Sequence, residues 1–292
     1  MQIYDAFPEL KRDLKFQPLG NKYLKILSAD QIRTYNKKGF LFPISVFNNL
    51  EMQNIKHYFD ALLNKSIAAG WNSYEIINWH KHCNGIYEIV SNSNLIDIIE
   101  DLLGENIVLR HSHFFVKLPG DGKRVSWHQD MSYWPLSKCR VVTAWLAIDD
   151  TDYENAAMQV IPGSHLRPNI PFVDSHPSEN NVLNQTVVNA ENYGEKPVTL
   201  ELKSGQISLH SDLTLHSSEV NKSNRRRCGL AMRFLSPDVK AYKGWNKNSI
   251  ICRGKDITNH WANNPKPSDE FIPQKNNETV DVTMKNLGLE PN

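Results

Sequence analysis

Apolar residues recur at helical spacing along the first third of the chain. They stand mostly three or four positions apart within 28–70 and again within 95–103, where Gly104 ends the run. The positions that form these apolar faces are Ile32, Tyr35, Phe40, Ile55, Phe59, Leu62 and Leu63, then Leu95, Ile98, Ile99, Leu102 and Leu103. Ser28 and Asp30 are available to cap the first helix. The pattern predicts a mainly helical N-terminal layer over residues 28–104.

Short runs of apolar and β-branched residues replace this pattern between residues 106 and 236. The runs lie at 107–118, 141–148, 158–161 and 198–202, and Gly, Pro, Asn and Asp separate them. No helix of useful length stands between them, so a parallel sheet built from strand, helix and strand units is not indicated. We therefore expect a mainly β fold with flanking helices, whose core over 106–236 is a sandwich or jelly roll.

The C-terminal extension, residues 237–292, is rich in Asn, Lys and Pro. Trp245 and Trp261 are suited to anchor it onto the core, and the stretch from about Asn276 is expected to fray. A chain of 292 residues can bury one large core. We expect a single domain over 1–292.

Composition narrows the class of partner. The 33 Lys and Arg nearly cancel the 32 Asp and Glu, which leaves no net field to attract nucleic acid or an anionic membrane. A small-molecule substrate is the better expectation, with the protein a monomer or a weak homo-oligomer. The four cysteines form no CxxC pair and are expected to be reduced thiols. Without a signal peptide or an apolar run of roughly 18 to 20 residues, a cytoplasmic location is predicted.

The segment VSWHQDMSYWPL places His128 and Asp130 two residues apart. In a strand, side chains at this spacing point to the same face, so the imidazole and the carboxylate can reach one metal ion. His216 would supply a second imidazole and complete one face of an octahedron. Two histidines and one carboxylate with open positions form the ligand set of non-haem iron(II) oxygenases.

A second His-x-Asp triplet, His210 and Asp212, competes with the first. It could recruit His260 as its distal ligand, but Phe271 stands eleven residues after His260, whereas Arg227 stands eleven after His216. A guanidinium offers a planar fork of donors that matches a carboxylate, and 2-oxoglutarate carries a distal carboxylate that needs such a partner. The spacing therefore favours His128, Asp130 and His216 as metal ligands, with Arg227 as the cosubstrate clamp.

The blocks WHQDMSYWPL, VVTAWLAIDD, NAAMQVIPGSH and LHSDLTLHSSEVNKSNRRR resemble the phytanoyl-CoA dioxygenase family of iron(II)- and 2-oxoglutarate-dependent oxygenases. The resemblance runs from about Ala29 to Leu235. It implies a double-stranded β-helix, a cupin-like jelly roll that uses Fe(II), 2-oxoglutarate and O2. It further implies that Ser218, Trp145 and His113 contact the cosubstrate. Halogenating relatives carry a small residue in place of the metal-binding Asp, so the presence of Asp130 disfavours halogenation.

Alternation along two strands suggests which residues contact the substrate. Arg227 and Arg233 share one face of the strand 227–235, and His111 and His113 share one face of the strand before the metal motif. Two interpretations of Arg233 stay open, because it could pair with a substrate carboxylate or with an internal acid. Tyr133 and Trp134 follow the metal motif and are candidate pocket walls, with ordinary core packing as the alternative. His80 and His82 are interpreted as part of a solvated loop.

These features predict hydrogen abstraction, with hydroxylation, from a small carboxylated or amino-acid-like metabolite. One alternative is oxidative cyclisation or desaturation in secondary metabolism, as in kainoid-synthase-like enzymes. Two others are a non-catalytic jelly-roll binding protein and a zinc hydrolase, which would need neither Arg227 nor oxygen.

Overall fold

The computed structural model describes residues 3–275, so the stretch from Asn276 that was expected to fray lies outside the described residues. Four α-helices lie in the first third of the chain. Their bounds are α1 Ala29–Lys38, α2 Asn49–Ala68, α3 Asn84–Val90 and α4 Ser93–Leu103. Ser28 and Asn48 cap α1 and α2, each in a reciprocal capping box with a residue three positions later.

Twelve strands are found in the described residues, most of them in two sheets. Their bounds are β1 Phe40–Ser45, β2 Ile107–Lys117, β3 Val125–His128, β4 Val141–Ala147, β5 Gln159–Val160, β6 Val173–Asp174, β7 Gln185–Thr186, β8 Val198–Thr199, β9 Gln206–Ser211, β10 His216–Ser218, β11 Arg227–Leu235 and β12 Ile250–Arg253. The six-stranded major sheet has the order β1-β9-β4-β11-β2-β12, and the four-stranded minor sheet has the order β3-β10-β5-β8. Strands β6 and β7 form a separate hairpin. All the pairings within the sheets are antiparallel, as expected for a jelly roll.

Two strands lie outside the segment in which the sequence predicted them. Phe40, assigned to a helical face, begins the edge strand β1, because Gly39 ends α1 in the left-handed conformation and the run FLFPI that follows is aromatic and β-branched. Pro43 is compatible with this edge position, since it has no N–H to donate to a ladder. The C-terminal extension contributes β12, which pairs with β2 at the other edge. The major sheet therefore extends beyond residues 106–236 at both edges.

Alternation in the major sheet separates a helix-facing side from a cavity-facing side. On β11, Leu230, Met232 and Phe234 join the main apolar cluster, to which α2 and α4 also contribute. Burial of each side chain of this size contributes roughly 1.5–3 kcal/mol to the free energy of unfolding. These apolar residues therefore determine which face of β11 is directed toward the helices. The opposite face of β11 is thereby directed toward the space between the two sheets.

The C-terminal extension packs beside the metal-motif segment. Trp245 and Trp261, expected as anchors, are buried in an apolar cluster with Tyr133 and Trp134. All four cysteines are free thiols. Among residues 3–275, no helix combines the length and apolarity that a membrane span requires.

Candidate metal and cosubstrate site

The two histidines of the predicted metal site lie on neighbouring strands of the minor sheet. His128, the last residue of β3, is directly opposite His216, the first residue of β10. Asp130 lies beyond the end of β3, in a short 3-10 turn, and not on the same strand as His128. The extended backbone of Gln129 nevertheless preserves the alternation, which brings the Asp130 carboxylate to the side of the imidazoles.

These three side chains converge on one point. The Nε2 atoms of His128 and His216 lie 3.7 Å and 3.9 Å from Oδ1 of Asp130. One donor atom from each residue lies within 4.8 Å of the other two, and all three side chains are buried. Among the described residues this is the one group of His, Cys, Asp or Glu with the geometry of a metal site.

Hydrogen bonds fix both imidazoles in the form that binds a metal. Nδ1 of His128 contacts the Ser126 carbonyl at 2.8 Å, and Nδ1 of His216 contacts the Thr214 carbonyl at 2.9 Å. A carbonyl oxygen only accepts, so each Nδ1 carries the proton and each Nε2 presents a lone pair. Burial acts to raise the pKa of Asp130, but the adjacent His128 side chain and the charge of Arg233 hold it well below its usual value. The donor set therefore fits a divalent iron ion.

The competing triplet does not assemble. The Asp212 carboxylate accepts hydrogen bonds from the Ser211 hydroxyl and the Val141 amide, and burial raises its pKa to about 7. His260 accepts from the backbone amide of Ala241 instead of approaching His210. The interpretation that placed the metal at His128, Asp130 and His216 is consistent with this geometry.

Two residues beside the metal group were missed as site residues. Nε2 of His210 lies 3.9 Å from Oδ2 of Asp130, and the Thr143 hydroxyl donates to the same oxygen at 3.4 Å. Burial lowers the pKa of His210 to about 4, so it is neutral at pH 7. Thr143 could have been found by extending the alternation from Trp145, two residues later on β4.

Arg227 occupies one end of the cavity. Its guanidinium carbon lies 4.9 Å from the centre of the Trp145 ring, and its buried Nε has no hydrogen-bond partner among the described residues. Burial lowers the pKa of Arg227 only to about 10, so it stays cationic at pH 7. Trp145 takes this position because Gly229 has no side chain. A Cβ there would lie 1.9 Å from a carbon of the Trp145 ring.

Lys117 fixes the loop at this end without lining the cavity. It is fully buried opposite Arg227 on the neighbouring strand, and its Nζ donates to the carbonyls of Ser218, Glu219 and Lys123. The turn after β10 is thereby tied to β2. This contact holds Ser218 beside the cavity.

Arg233 lies at the opposite end, six residues further along the same face of β11. Its side chain is buried, Nε and Nη1 have no hydrogen-bond partner, and no ion pair within residues 3–275 includes it. The alternative of an internal acid partner is therefore not observed. His111 is directly opposite Arg233 on β2 and lines the cavity. Its pKa lies well below the usual value, mainly because the ring is buried and secondly because of the charge of Arg233.

The cavity between the sheets brings together every residue that the sequence assigned to the metal, the cosubstrate or the substrate. These are His111, His113, His128, Asp130, Tyr133, Trp134, Trp145, His216, Ser218, Arg227 and Arg233. Nε2 of His113 donates to the Tyr74 carbonyl at 2.8 Å, and burial lowers the pKa of His113 to about 3. The interpretation of His80 as a solvated residue is wrong. It is fully buried and its ring bonds Ser112 and the Asn248 carbonyl, because it lies between β2 and the C-terminal extension.

A jelly roll with two histidines and one carboxylate around open coordination positions defines the class of non-haem iron oxygenases. The sequence profile of the family described as phytanoyl-CoA dioxygenase (PhyH) matches residues 35–229, and the chain belongs to that family. Members of this family are iron(II)- and 2-oxoglutarate-dependent oxygenases. The protein is accordingly an oxidoreductase that depends on both.

Individual relatives agree with this assignment. The chain is 31% identical over 167 residues to the probable alpha-ketoglutarate-dependent hypophosphite dioxygenase of Stutzerimonas stutzeri, a match that spans 56% of this chain and 57% of that protein. It is 23% identical to the peroxisomal phytanoyl-CoA dioxygenase of Bos taurus over 94% of this chain and 82% of that one. The solved structure of the non-heme monooxygenase ThoJ, in its apo form, superposes with a TM-score of 0.69 at 21% identity, covering 88% of this chain and 96% of that one. The latter likeness confirms the fold.

Proposed function

We propose that the protein oxidises a small anionic metabolite, of the carboxylated or amino-acid-like class, by hydrogen abstraction and hydroxylation. The observation that carries the proposal is the buried, unpaired guanidinium of Arg233 in the cavity that also contains the metal group. A buried cation without a partner costs several kcal/mol unless an anion joins it. Arg227, at the other end of the same strand face, is assigned to the cosubstrate.

His128, Asp130 and His216 would hold iron(II), and Arg227, with Ser218, Trp145 and His113 nearby, would hold 2-oxoglutarate. Together, bound iron and 2-oxoglutarate supply the activation of O2 that removes a hydrogen atom from a substrate carbon. The chain itself positions the reactants. Arg227 fixes the distal carboxylate of the cosubstrate, and Arg233 fixes the substrate so that one carbon faces the metal group.

The two arginines are well separated for these tasks. Six residues along a strand correspond to roughly 20 Å between their Cα atoms. The two histidines reach the cavity from the facing minor sheet, and Asp130 lies toward the Arg233 end, where its carboxylate accepts from Thr143, the residue opposite Arg233 on β4. Ala231, the small residue between the arginines on this face, leaves room for a ligand. The similarity to a protein named for hypophosphite, itself a small oxyanion, supports an anionic substrate.

A succinate-release screen tests the proposal. Candidate acids are compared with their uncharged amides, in the presence of Fe(II), 2-oxoglutarate and O2. We expect coupled succinate formation with an acid but not with its amide, and at least a tenfold loss of kcat/KM for the acid in Arg233→Gln. Arg225→Gln, which removes a partly exposed arginine paired with Asp152, is the matched control. Equal turnover of acid and amide would contradict the proposal.

Product mass separates the outcomes of the reaction. A gain of one oxygen identifies hydroxylation, and a loss of two hydrogens identifies cyclisation or desaturation. A zinc hydrolase would work without oxygen, and a binding protein would release no succinate with any substrate. The presence of Asp130 favours hydroxylation over halogenation.

A further inference from the structure

A second buried guanidinium lies next to the substrate end of the cavity. Arg110 is the extra residue of a β-bulge, since β11 pairs Arg233 with His111 and then Phe234 with Leu109. Its guanidinium carbon lies 4.7 Å from the ring centre of Trp134 and 4.8 Å from that of Trp245. Trp134 lines the metal cavity, and Trp245 lines an outer cavity of about 720 Å³. Arg110 itself lines neither cavity, but it contacts one tryptophan from each lining.

The rings of Trp134 and Trp245 contact the Arg110 guanidinium but do not accept hydrogen bonds from the N–H groups in its plane. Nε and Nη2 of Arg110 are buried and have no hydrogen-bond partner among the described residues. None of the ion pairs within residues 3–275 includes Arg110, which is 2% exposed. Arg233 likewise has buried nitrogens without a hydrogen-bond partner among the described residues. Its guanidinium carbon lies 5.8 Å from the centre of the same Trp134 ring. The two arginines thus share one aromatic side chain and lack the same kind of partner.

The charges around the metal leave two cations uncompensated. In the proposed function, the charges of iron(II), Asp130 and the metal-binding carboxylate of 2-oxoglutarate sum to zero, and Arg227 offsets the distal carboxylate. The histidines that line this end of the cavity do not add charge, because burial lowers the pKa values of His111 and His113. Arg110 and Arg233 remain, and burial lowers the pKa of Arg110 only to about 9, so it is cationic at pH 7. A ligand with two negative charges would balance them.

We propose that Arg110 and Arg233, which both contact the ring of Trp134, form a subsite for the dianionic end of the primary substrate. The inference rests on the proposed function and restricts its substrate class from acids in general to compounds that bring two charges to this end. A phosphoryl group and a pair of carboxylates on one carbon both meet the requirement, since each offers oxygens to two guanidinium forks. His111 lies beside Arg233 and offers a ring N–H.

Binding of three small anions tests the subsite without turnover. Methyl phosphate, malonate and acetate are titrated by calorimetry at pH 7.5 into protein saturated with Mn(II) and 2-oxoglutarate under anaerobic conditions. Saturation with 2-oxoglutarate keeps the probes away from Arg227. We expect methyl phosphate or malonate, or both, to bind at least tenfold more tightly than acetate, and the preferred probe identifies the source of the two charges. Equal affinities for all three anions would overturn the proposal.

Substitutions then assign the two charges to the two arginines. Arg233→Gln and Arg110→Gln are each expected to weaken binding of the preferred dianion at least tenfold and to leave the 2-oxoglutarate affinity within twofold, which also shows that each variant is folded. Arg225→Gln is expected to change neither affinity. If Arg110→Gln does not fold, Arg110→Lys replaces it, and the loss of the planar fork should still weaken dianion binding at least threefold.

Unchanged dianion binding in the folded Arg110 variant would show that Arg110 only anchors Trp245, and the two-cation subsite would be rejected. The proposed function is tested separately, by succinate release and by the dependence on Arg233, so failure of one is distinguishable from failure of the other.

Discussion

Arg227 and Arg225 lie two residues apart in a run of three arginines, but their environments differ. Arg227 is buried over Trp145, whereas Arg225 is a partly exposed partner of Asp152 and Glu154. Of the two, only the Arg227 guanidinium can bind a carboxylate through two hydrogen bonds inside the cavity. Identical substitutions at the two positions should therefore have different consequences.

We predict that Arg227→Ala raises the KM for 2-oxoglutarate at least tenfold, because the distal carboxylate loses its bidentate partner. Arg227→Lys should recover only part of this loss, since an ammonium is a point charge without the planar fork. The measurement is succinate formation as a function of 2-oxoglutarate concentration. Arg225→Ala should match the parent protein, and an unchanged KM in Arg227→Ala would remove the cosubstrate assignment.

Gly229 sets the position of the Trp145 ring. An added Cβ would approach that ring to 1.9 Å, far inside van der Waals contact, so Gly229→Ala must displace the ring from Arg227. We predict a loss of about 1–3 kcal/mol in the free energy of unfolding and a higher KM for 2-oxoglutarate. Urea unfolding and a 2-oxoglutarate titration measure the two effects.

Gly122→Ala is the control for this substitution, because a Cβ there would meet only the side-chain amide of Asn180 at 3.3 Å. It should leave the KM unchanged. A stable Gly229→Ala protein with an unaltered KM would show that the ring has no part in cosubstrate binding.

The residues of the site could be found from the sequence where spacing carried the information. His128, Asp130, His216 and Arg227 follow from short-range alternation and from one hairpin length. His210 was considered only as a rival ligand, because its approach to Asp130 depends on how β9 packs against the minor sheet. Arg110 could not be found, since a bulge that interrupts alternation leaves no mark in the apolar pattern.

At the scale of elements, the sequence predicts strands from local composition but not their partners. The segments around β2, β4 and β11 were expected as strands, and their cavity-facing residues followed from alternation. Strands β1 and β12 were not predicted, because each is a short edge strand flanked by helix or loop residues, and its pairing with β9 or β2 depends on contacts distant in the chain. The sheet edges therefore required the structure.

His80 joins two of these elements and should make their contact sensitive to pH. Burial lowers its pKa from 6.5 to about 4, so the folded protein resists the proton that the unfolded chain accepts. The stabilising contribution is present above pH 6.5 and is lost as the pH falls from 6.5 toward 4. Between pH 7.5 and 5.0 this loss amounts to about 2 kcal/mol.

Urea unfolding of the metal-free protein at both pH values measures this effect against His80→Gln, which cannot titrate. Other buried histidines contribute equally to both proteins, so the difference isolates His80. We predict that the parent loses about 2 kcal/mol more than the variant on acidification. The same pH dependence in both proteins would show that His80 is not a buried neutral residue that joins β2 to the C-terminal extension.

At the scale of the molecule, the helical layer, the major sheet, the cavity and the minor sheet are stacked in that order. The helices bury one face of the major sheet and leave the other to carry Arg227 and Arg233. The minor sheet presents His128 and His216 from the facing side, with Asp130 just beyond β3. The C-terminal extension adds Trp245 behind Arg110. In the proposed function, the metal, the cosubstrate and the substrate would thus be held by different parts of one fold.

The most direct test of this arrangement is anaerobic calorimetric titration with Fe(II) in the presence of 2-oxoglutarate. The parent protein should bind one ion per chain. Asp130→Ala and His216→Ala should each weaken binding at least tenfold, whereas Asp212→Asn, which alters the rival triplet, should bind as the parent does. Parent-like affinity in Asp130→Ala, or loss of the ion in a folded Asp212→Asn protein, would contradict the assignment of His128, Asp130 and His216 as the metal site.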